Sequence, residues 1–384
     1  MTSPEFDCLV VGRGIVGLAH ALAAVRLGLR TAVIDRDTRA VGASIRNFGF
    51  ITVTGQQDGL AWRRARRSRD VWAEIAAGAD IAVQHRGLLM VARRRESLSV
   101  IDEFTETRMA AGCRVLRGKA LTALAPPLRT KLHGALYSPH ELRIESRDAI
   151  PRLAAWLAAL HGVSFLPRAA VHAVEPGRVH TGAGRIAARH IVVCPGPDIV
   201  TLFPERHASR GITLSKLHML RLAAPGWRLP AAVMSDLGLL RYLGYAGCPS
   251  LPTLRARVLA EQAQHLADGI HLIAVQSADG SLVVGDSHHN DIAPDPFQPR
   301  EIDDRILDEL CAVLDLPAPQ VIERWIGVYP SGPDSAFCDA PMPGVRLVNV
   351  TSGTGASTAF AIAEETLADL LDQPPPPHAR EDAA

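Results

Sequence analysis

Hydrophobic and polar positions along the first 35 residues follow a pattern that predicts a strand, a helix and a second strand. The apolar runs Cys8–Val11 and Thr31–Ile34 are continuous, as in parallel strands that are covered on both faces. Between the two runs, apolar residues recur at helical spacing and predict a helix that packs on the sheet and ends at Gly28. This apolar stripe consists of Ile15, Leu18, Leu22 and Val25.

The turn between the first strand and the helix carries the spacing Gly12-x-Gly14-x-x-Gly17. In such a turn the first glycine bends the chain, the second admits a pyrophosphate, and the third lets the helix approach the strand. The start of the helix offers N–H groups and a positive dipole end to phosphates. Asp35 ends the second strand, where a carboxylate can accept hydrogen bonds from ribose hydroxyls. Because glycines, elements and acid occur in this order, the segment predicts a dinucleotide site.

The rest of the chain predicts further pieces of a nucleotide-binding fold in the middle and at the end, with strand-rich segments inserted between them. Predicted helices cover 61–77, 99–111, 146–160, 253–267, 301–314 and 359–371. Predicted strands cover 87–91, 169–173, 178–181, 185–187, 190–194, 218–222, 238–245, 271–276, 281–285, 322–329 and 345–350.

This order predicts an α/β protein with an α+β insertion, in which a Rossmann-like domain holds the dinucleotide. The discontinuous cofactor domain is expected to comprise residues 1–85, 141–215 and 320–372. The inserted substrate domain, with a mixed or antiparallel sheet, is expected to comprise residues 86–140 and 216–319. Residues 373–384 are rich in proline and polar residues, and a disordered tail is predicted there.

The composition of the chain limits which partners and which cellular location we expect. Among 384 residues there are 41 basic and 40 acidic ones, and a net charge of +1 gives no reason to expect nucleic acid or a membrane as partner. Six scattered cysteines without a CxxC pair do not suggest a disulfide framework or zinc site. No apolar run has the length of a membrane span, and the first residues lack the features of a signal peptide. We therefore expect a cytoplasmic protein, with its oligomeric state left open.

Arginines are dense in the predicted helix 61–77, at positions 63, 64, 66, 67 and 69. A solvated helix face is the simpler interpretation. Attraction of an anionic substrate is the alternative.

Taken together, these segments resemble the family of FAD-dependent amine oxidoreductases that includes D-amino-acid oxidase, glycine oxidase and sarcosine oxidase. The resemblance rests on the glycine turn with Asp35-Arg36, the loop around Ser44, Arg46 and Asn47, the Val171 strand, Val193–Gly196, and Ser352–Gly355 before the last helix. A second glycine-rich helix start beside the flavin ring suits FAD better than NAD. The residues that the resemblance assigns to FAD are Gly12, Gly14, Ile15, Val16, Gly17, Asp35, Arg36, Ser44, Arg46, Asn47, Val171, Pro195, Gly196, Gly353, Thr354, Gly355 and Ala356.

Four segments, RNFGFI, VVGDSHH, ERWIGVYPSGPD and VTSGTGASTAF, more closely resemble a bacterial branch of this family associated with aminophosphonate breakdown. The resemblance implies oxidation of the C–N bond of 2-aminoethylphosphonate or its N-methyl derivative, by hydride transfer to flavin N5 and hydrolysis of the imine to an aldehyde. Gly327 takes the place of the cysteine that binds flavin covalently in sarcosine oxidase-like members, so non-covalent FAD is expected.

Other departures from the family pattern concern the substrate and the electron acceptor. Tyr329 and Ser357 take the places of an arginine and a lysine that hold substrate carboxylates. Val283 takes the place of a lysine that helps flavin react with oxygen, which leaves the acceptor open. The alternatives are an amino-acid oxidase of the glycine, sarcosine or D-amino-acid type, and a flavin-binding protein without turnover.

Candidate catalytic residues are Tyr329, His288, Arg241 and Tyr242. Tyr329 matches an active-site tyrosine of the family. His288 lies near a family histidine, although Ser287 is the stricter match. Arg241 and Tyr242 are expected in the inserted sheet, where a guanidinium suits a phosphonate; the competing interpretation is a surface pair. Residues 286–291 contain several potential ligands packed too tightly for a usual metal site, and no metal is expected.

Overall fold

A computed structural model describes residues 5–380 of the chain, and its elements alternate between strands and helices throughout. The strands are β1 Phe6–Val11, β2 Thr31–Ile34, β3 Phe50–Ile51, β4 Val83–Ala92, β5 Arg114–Leu116, β6 Gly134–Ile144, β7 Ser164–Leu166, β8 Val171–Glu175, β9 Arg178–Thr181, β10 Gly184–Val193, β11 Thr213–Leu222, β12 Ala232–Met234, β13 Ile273–Gln276, β14 Leu282–Gly285, β15 His289–Asp291, β16 Val321–Met342 and β17 Val345–Ser352. The helices are α1 Ile15–Arg26, α2 Leu60–Ala76, α3 Arg95–Thr105, α4 Gly118–Leu124, α5 Ser146–His161, α6 Pro204–Ala208, α7 Leu237–Arg241, α8 Leu251–Ala267, α9 Arg300–Val313 and α10 Gly355–Leu370. Short 3-10 turns lie at Ala43–Ile45, Arg108–Ala110, Leu243–Tyr245 and Pro377–Ala379.

A parallel sheet contains the predicted strand–helix–strand unit. β1 pairs with β2 on one side and β10 on the other, β2 pairs with β7, and β10 pairs with β17, all in parallel. Helices α1 and α10 pack on one face together with α2 and α5, and bury Leu18, Trp72 and Phe360 among others. The β8–β9 hairpin contributes apolar side chains to the other face. Both faces are covered, which explains the continuous apolar runs of β1 and β2.

The second sheet is reached through β16, whose residues 321–331 pair with β11 and whose residues 331–342 pair with β17. From β11 the sheet continues through antiparallel β14 and β13 to β12, and then through β4 to β6. Its helical cover is provided by α3, α8 and α9. The fold class is therefore confirmed as a Rossmann-like α/β fold extended by a largely antiparallel sheet. Because β16 belongs to both sheets, the exact domain boundaries remain a prediction.

Three expectations from sequence differ from the structure. Residues 238–245 were predicted as a strand but form α7 and the 3-10 turn Leu243–Tyr245, and the apolar Leu239 and Tyr245 of this segment are completely buried. Residues 373–380 were predicted to be disordered, yet the His378 carbonyl accepts a hydrogen bond from Arg63, and the His378 ring lies 3.2 Å from Glu365. The rest of the predicted tail, 381–384, lies outside the described residues.

The third difference concerns the arginines of α2. Arg64 forms a bidentate ion pair with Glu365, and Arg67 forms one with Glu364, both on α10. Neither a simply solvated face nor substrate attraction describes these two side chains, which fasten α2 to the last helix. Within residues 5–380, no helix combines the length and the apolar character that crossing a bilayer would require.

Candidate active site

A cavity of about 1260 Å³ runs from the glycine turn along the ends of the parallel strands to the second sheet. Ligand pockets usually measure about 300–1000 Å³, so this cavity has room for a large cofactor and a small substrate together. All the residues assigned to FAD by resemblance line it except Gly17, and so do the four candidate catalytic residues. The cavity thus brings together segments that are hundreds of residues apart in the chain.

The glycines of the first turn stand where side chains do not fit. A Cβ on Gly12, which has φ of +109°, would lie 2.3 Å from the Cys194 carbonyl oxygen. A Cβ on Gly17 would lie 1.9 Å from the Gly12 carbonyl oxygen, which explains why Gly17 packs α1 on β1 rather than lining the cavity. At Gly14 the nearest obstacle is Ser44 Oγ at 2.9 Å. The same Ser44 hydroxyl accepts the N–H of Ile15 at 2.9 Å and joins the loop 42–49 to the start of α1.

Asp35 stands at the end of β2, as expected for a ribose-binding carboxylate. One of its oxygens accepts the backbone N–H of Arg13 at 2.6 Å, and the other accepts that of Asp37 at 2.8 Å. These bonds fix the carboxylate at the cavity wall and leave each oxygen with further acceptor capacity. The neighbouring Arg36 is paired with Asp198 at 2.7 Å, so its charge is partly neutralised beside the cavity.

Asn47 stabilises the loop on which it lies. Its amide donates to the Ala43 carbonyl at 2.8 Å, and its oxygen accepts from the Gly49 N–H at 2.7 Å and the Ser146 hydroxyl at 2.8 Å. The Arg46 carbonyl accepts the indole N–H of Trp325 at 3.1 Å, which ties the same loop to β16. The side chain of Asn47 is therefore hydrogen-bonded to other protein groups, and these bonds hold it at the cavity wall.

The second glycine-rich segment presents the start of α10 to the cavity. Gly353 has φ of +73°, and a Cβ there would lie 2.8 Å from the ring of Tyr329. The hydroxyls of Ser352 and Thr354 lie 2.7 Å apart in front of the helix. Since α10 is 16 residues long, its first turn carries the positive end of a full helix dipole. Negative charge on a bound ring would be stabilised there.

The two glycine-rich helix starts fit an adenine dinucleotide with a flavin, because one would hold the phosphates and the other would lie beside the ring. Bound FAD supplies a hydride acceptor. The structure does not test the binding role of each residue, so those roles remain predictions. Gly327, where the family's flavin-linking cysteine would stand, lines the cavity wall and lies against the Arg46 carbonyl oxygen.

The predicted catalytic residues come together at the other end of the cavity. The Arg241 guanidinium donates to the Tyr329 hydroxyl oxygen at 3.3 Å, and the ring centroids of His288 and Tyr329 are 6.1 Å apart. Arg241 and Tyr242 reach this point from the end of α7, not from a strand of the inserted sheet as predicted. Burial raises the pKa of Tyr329, and the Arg241 charge opposes that change. Tyr242 is likewise kept protonated, because burial raises its pKa.

Two further residues of this end were not among the predicted catalytic residues. Asp286 follows β14 and His271 precedes β13, and both are 4% exposed. Burial raises the pKa of Asp286 to about 7, against an opposing effect of Arg241, and lowers the pKa of His271 to about 3. In the sequence Asp286 stood only in a cluster considered for metal binding, and nothing in the pattern linked it to His271. The two residues are brought together by the antiparallel pairing of Ile273 with Gly285, which is visible only in the folded protein.

Asp286, His271 and His288 each offer one atom that could bind a metal ion. These three atoms all lie within 4.8 Å of one another. The sequence prediction of no metal considered residues 286–291 alone, and it did not include this contribution from His271. The set combines two imidazoles with one carboxylate.

Uncharged side chains fill two positions at which the family resemblance places lysines, one that binds a substrate carboxylate and one that helps flavin react with oxygen. Ser357 is buried, and its hydroxyl accepts the backbone N–H of Thr52 at 2.9 Å. Val283 is buried within β14. Neither residue carries a cation, so Arg241 supplies the positive charge next to Tyr329 at this end of the cavity.

Comparison with solved structures shows the same fold over the whole chain. The model superposes on glycine oxidase from Bacillus cereus with a TM-score of 0.77 at 17% identity, covering 97% of this chain and 96% of that one. Superposition on L-proline dehydrogenase from P. horikoshii gives a TM-score of 0.79 at 16% identity, and it covers 96% of this chain and 94% of that one. Superposition on iminodiacetate oxidase from Chelativorans sp. BNC1 gives a TM-score of 0.73 at 18% identity, and it covers 96% of each chain.

Sequence comparison gives one partial and one extensive match. Mouse mitochondrial glycerol-3-phosphate dehydrogenase is 47% identical over 49 residues, which span 13% of this chain and only 7% of that protein. The model of the DAO family, described as FAD dependent oxidoreductase, matches residues 7–370. With the two glycine-rich helix starts facing one cavity, this match shows that the chain belongs to the DAO family of FAD-dependent oxidoreductases.

Proposed function

We propose that this protein oxidises the C–N bond of a small amine that carries a phosphonate, with 2-aminoethylphosphonate or its N-methyl derivative as substrate. A hydride leaves the carbon next to nitrogen for bound FAD, and water hydrolyses the resulting imine to an aldehyde and ammonia or methylamine. Glycine oxidase and iminodiacetate oxidase, which share the fold, are named for substrates with C–N bonds.

The observation that carries the proposal is that a cation, Arg241, and a carboxyl group, Asp286, line the same end of the cavity. Arg241 lies beside the Tyr329 hydroxyl, and Asp286 lies close enough for the Arg241 charge to act on its pKa. A zwitterion with an anionic group and an ammonium group matches this arrangement. A guanidinium can hold two phosphonate oxygens at once, whereas an ammonium side chain acts as a point charge.

The protein's contribution to the reaction is the orientation of the substrate. Amine oxidation of this kind needs the C–H bond held over the flavin and little other machinery. Tyr329 borders the start of α10 through its contact with Gly353, so a substrate held by Arg241 and Tyr329 lies next to the expected ring position. Tyr242 and His288 close the sides of this pocket.

An amino-acid oxidase of the glycine, sarcosine or D-amino-acid type is the second candidate. It would have to use Arg241 for the carboxylate, since Tyr329 and Ser357 replace the usual anchors. The contrast is tested by matched pairs that differ only in the anion: 2-aminoethylphosphonate against β-alanine, and aminomethylphosphonate against glycine. We expect the phosphonate of each pair to give the larger kcat/KM, with the aldehyde detected as product. Larger values for the carboxylates would replace the proposal with the second candidate.

A further inference from the structure

The cluster of Asp286, His271 and His288 contains buried polar atoms that have no hydrogen-bond partner among the described residues. His288 Nδ1 lies 3.0 Å from the Gly269 carbonyl oxygen, which requires the ring proton on Nδ1 and leaves Nε2 as an acceptor. That acceptor lies 3.7 Å from Asp286 Oδ2, so two acceptors face each other without a hydrogen bond. When Asp286 is ionised, a donor from outside the cluster is needed to join these two atoms.

His271 adds to the same imbalance. Its Nδ1 lies 3.3 Å from Asp286 Oδ1, yet both atoms are buried without a hydrogen-bond partner in the described part of the protein. Buried polar atoms are rarely left in this state, because each one costs about 1–3 kcal/mol. All three side chains line the cavity that also holds Arg241 and Tyr329. The missing donor can therefore come from a ligand in the cavity.

We propose that Asp286, with His288 and His271 beside it, receives the ammonium group of the substrate and removes one of its protons before oxidation. The inference rests on the proposed function, since it takes the substrate to be an amine. An ammonium group has three N–H donors, which matches the acceptors that face it. Arg241 and the Tyr329 hydroxyl then hold the anionic end, so the cluster and the guanidinium together fix both ends of the molecule.

The proton transfer is required by the reaction. A protonated amine has no lone pair to form the C=N bond, so the proton must leave before the C–H hydride does. In the first step the N–H bond breaks, and its proton moves to the Asp286 carboxylate, which becomes a carboxylic acid. The C–H hydride of the neutral amine would then pass to FAD held by the two glycine-rich helix starts, and the nitrogen lone pair would form the iminium double bond. Water adds to the iminium and releases the aldehyde with ammonia or methylamine, and the Asp286 carboxylic acid returns its proton to solvent.

The ionisation of the groups around Asp286 agrees with this role. Burial raises the pKa of Asp286 to about 7, and a general base works best when its pKa lies near the working pH. His271 and His288 stay neutral, because burial and the Arg241 charge lower the pKa of each. The titratable and charged groups that face Asp286 are Arg241 and Tyr242 from α7, Tyr329 from β16, and the two histidines.

The test compares the FAD-loaded Asp286→Asn variant with the wild type and with the matched control Asp291→Asn, which changes an exposed carboxylate on β15. The first readout is the rate of anaerobic flavin reduction by 2-aminoethylphosphonate between pH 6 and 10. At pH 7 we expect at least about a 100-fold loss in Asp286→Asn, within the range of general acid–base catalysis. The loss should shrink towards pH 10, where the free amine is already neutral. Equal rates and equal pH profiles in all three proteins would overturn the proposal.

The second readout is binding without turnover, followed by the change in the flavin absorbance spectrum. One ligand is 2-amino-2-methylpropylphosphonate, whose C–N carbon bears no hydrogen, and the other is propylphosphonate, which has no amine. Asp286→Asn should weaken binding of the amine-bearing ligand by 10-fold or more and leave binding of propylphosphonate unchanged. Equal weakening of both ligands would indicate a merely structural effect and overturn the proposal. If no amine reduces the wild-type flavin, the proposed function fails, and this comparison still decides whether Asp286 binds the ammonium group.

Two further measurements distinguish a carboxylate base from a metal site. Asp286→Glu keeps the carboxylate, and we expect it to recover part of the reduction rate with the wild-type trend in pH. Metal analysis of the purified FAD-loaded enzyme should find no stoichiometric transition metal. A metal bound one to one, whose removal by a chelator abolishes flavin reduction, would make the cluster a metal site and overturn the role of proton acceptor.

Discussion

Replacing Asp286 by asparagine should stabilise the folded protein at high pH. The carboxyl group is 4% exposed, and its pKa is raised from 3.8 to about 7 by burial. Between these two values the folded protein holds a proton that the unfolded chain releases, so the free energy of unfolding falls as the pH rises through this range. At about 1.36 kcal/mol per pKa unit, the wild type loses up to about 4 kcal/mol by pH 8. Asparagine has a similar shape and carries no charge to bury.

The assay is thermal unfolding of both FAD-loaded proteins with excess FAD between pH 5 and 8.5. At pH 5 the variant should melt only slightly higher, because the wild type has by then lost about 1.6 kcal/mol to the proton that its unfolded chain releases. At pH 8.5 the variant should melt several degrees higher, while Asp291→Asn should follow the wild type throughout. A variant that is less stable than the wild type at pH 8.5 would refute the reasoning, because Asp286 would then be stabilised by a partner as an anion. A more stable but slower enzyme is the expected trade-off at a functional site.

Three further predictions concern the cofactor and the substrate anion. Gly17→Ala should lower the flavin content of the purified protein, because its Cβ would lie 1.9 Å from the Gly12 carbonyl oxygen. Gly182→Ala, whose Cβ meets nothing within 4 Å and which lies outside the cavity lining, is the control and should keep its flavin. Acid precipitation should release the flavin into the supernatant, since Gly327 offers no thiol, and flavin that stays with the pellet would disprove non-covalent binding. Arg241→Gln should raise KM for the phosphonate roughly 10- to 100-fold through loss of a charge-assisted hydrogen bond, and Arg241→Lys should recover only part of it; an unchanged KM would remove Arg241 from the substrate site.

The cofactor end of the cavity could be predicted from sequence because its signals are local. Gly12 and Gly17 lie in a turn whose spacing has a direct steric meaning, and Asp35 follows the next strand. The second helix start at Gly355 was found in the same way, from a strand and glycines in succession. Continuous apolar runs likewise predicted the parallel strands on either side.

The substrate end could be predicted only in part, because its residues meet through long-range pairing. Arg241 and Tyr242 line the cavity, and their role there stays a prediction. They were placed on a strand because an apolar segment with two tyrosines has no clear helical period. The three-residue cluster needs β13 and β14 side by side, and strand register cannot be read from His271 or Asp286 alone. The ordered structure of residues 373–380 was missed for a similar reason. The proline-rich composition of this segment gives no information about the long-range contacts of His378.

Anaerobic reduction of the bound flavin by a panel of amines tests the central claim most directly. The panel comprises 2-aminoethylphosphonate, its N-methyl derivative, glycine, sarcosine, D-alanine and, as an alcohol with a phosphorus anion, glycerol 3-phosphate. The account predicts that one or both aminophosphonates bleach the flavin fastest and that D286N slows this bleaching at neutral pH. Faster bleaching by the amino acids or by glycerol 3-phosphate, or no bleaching by any amine, would contradict it.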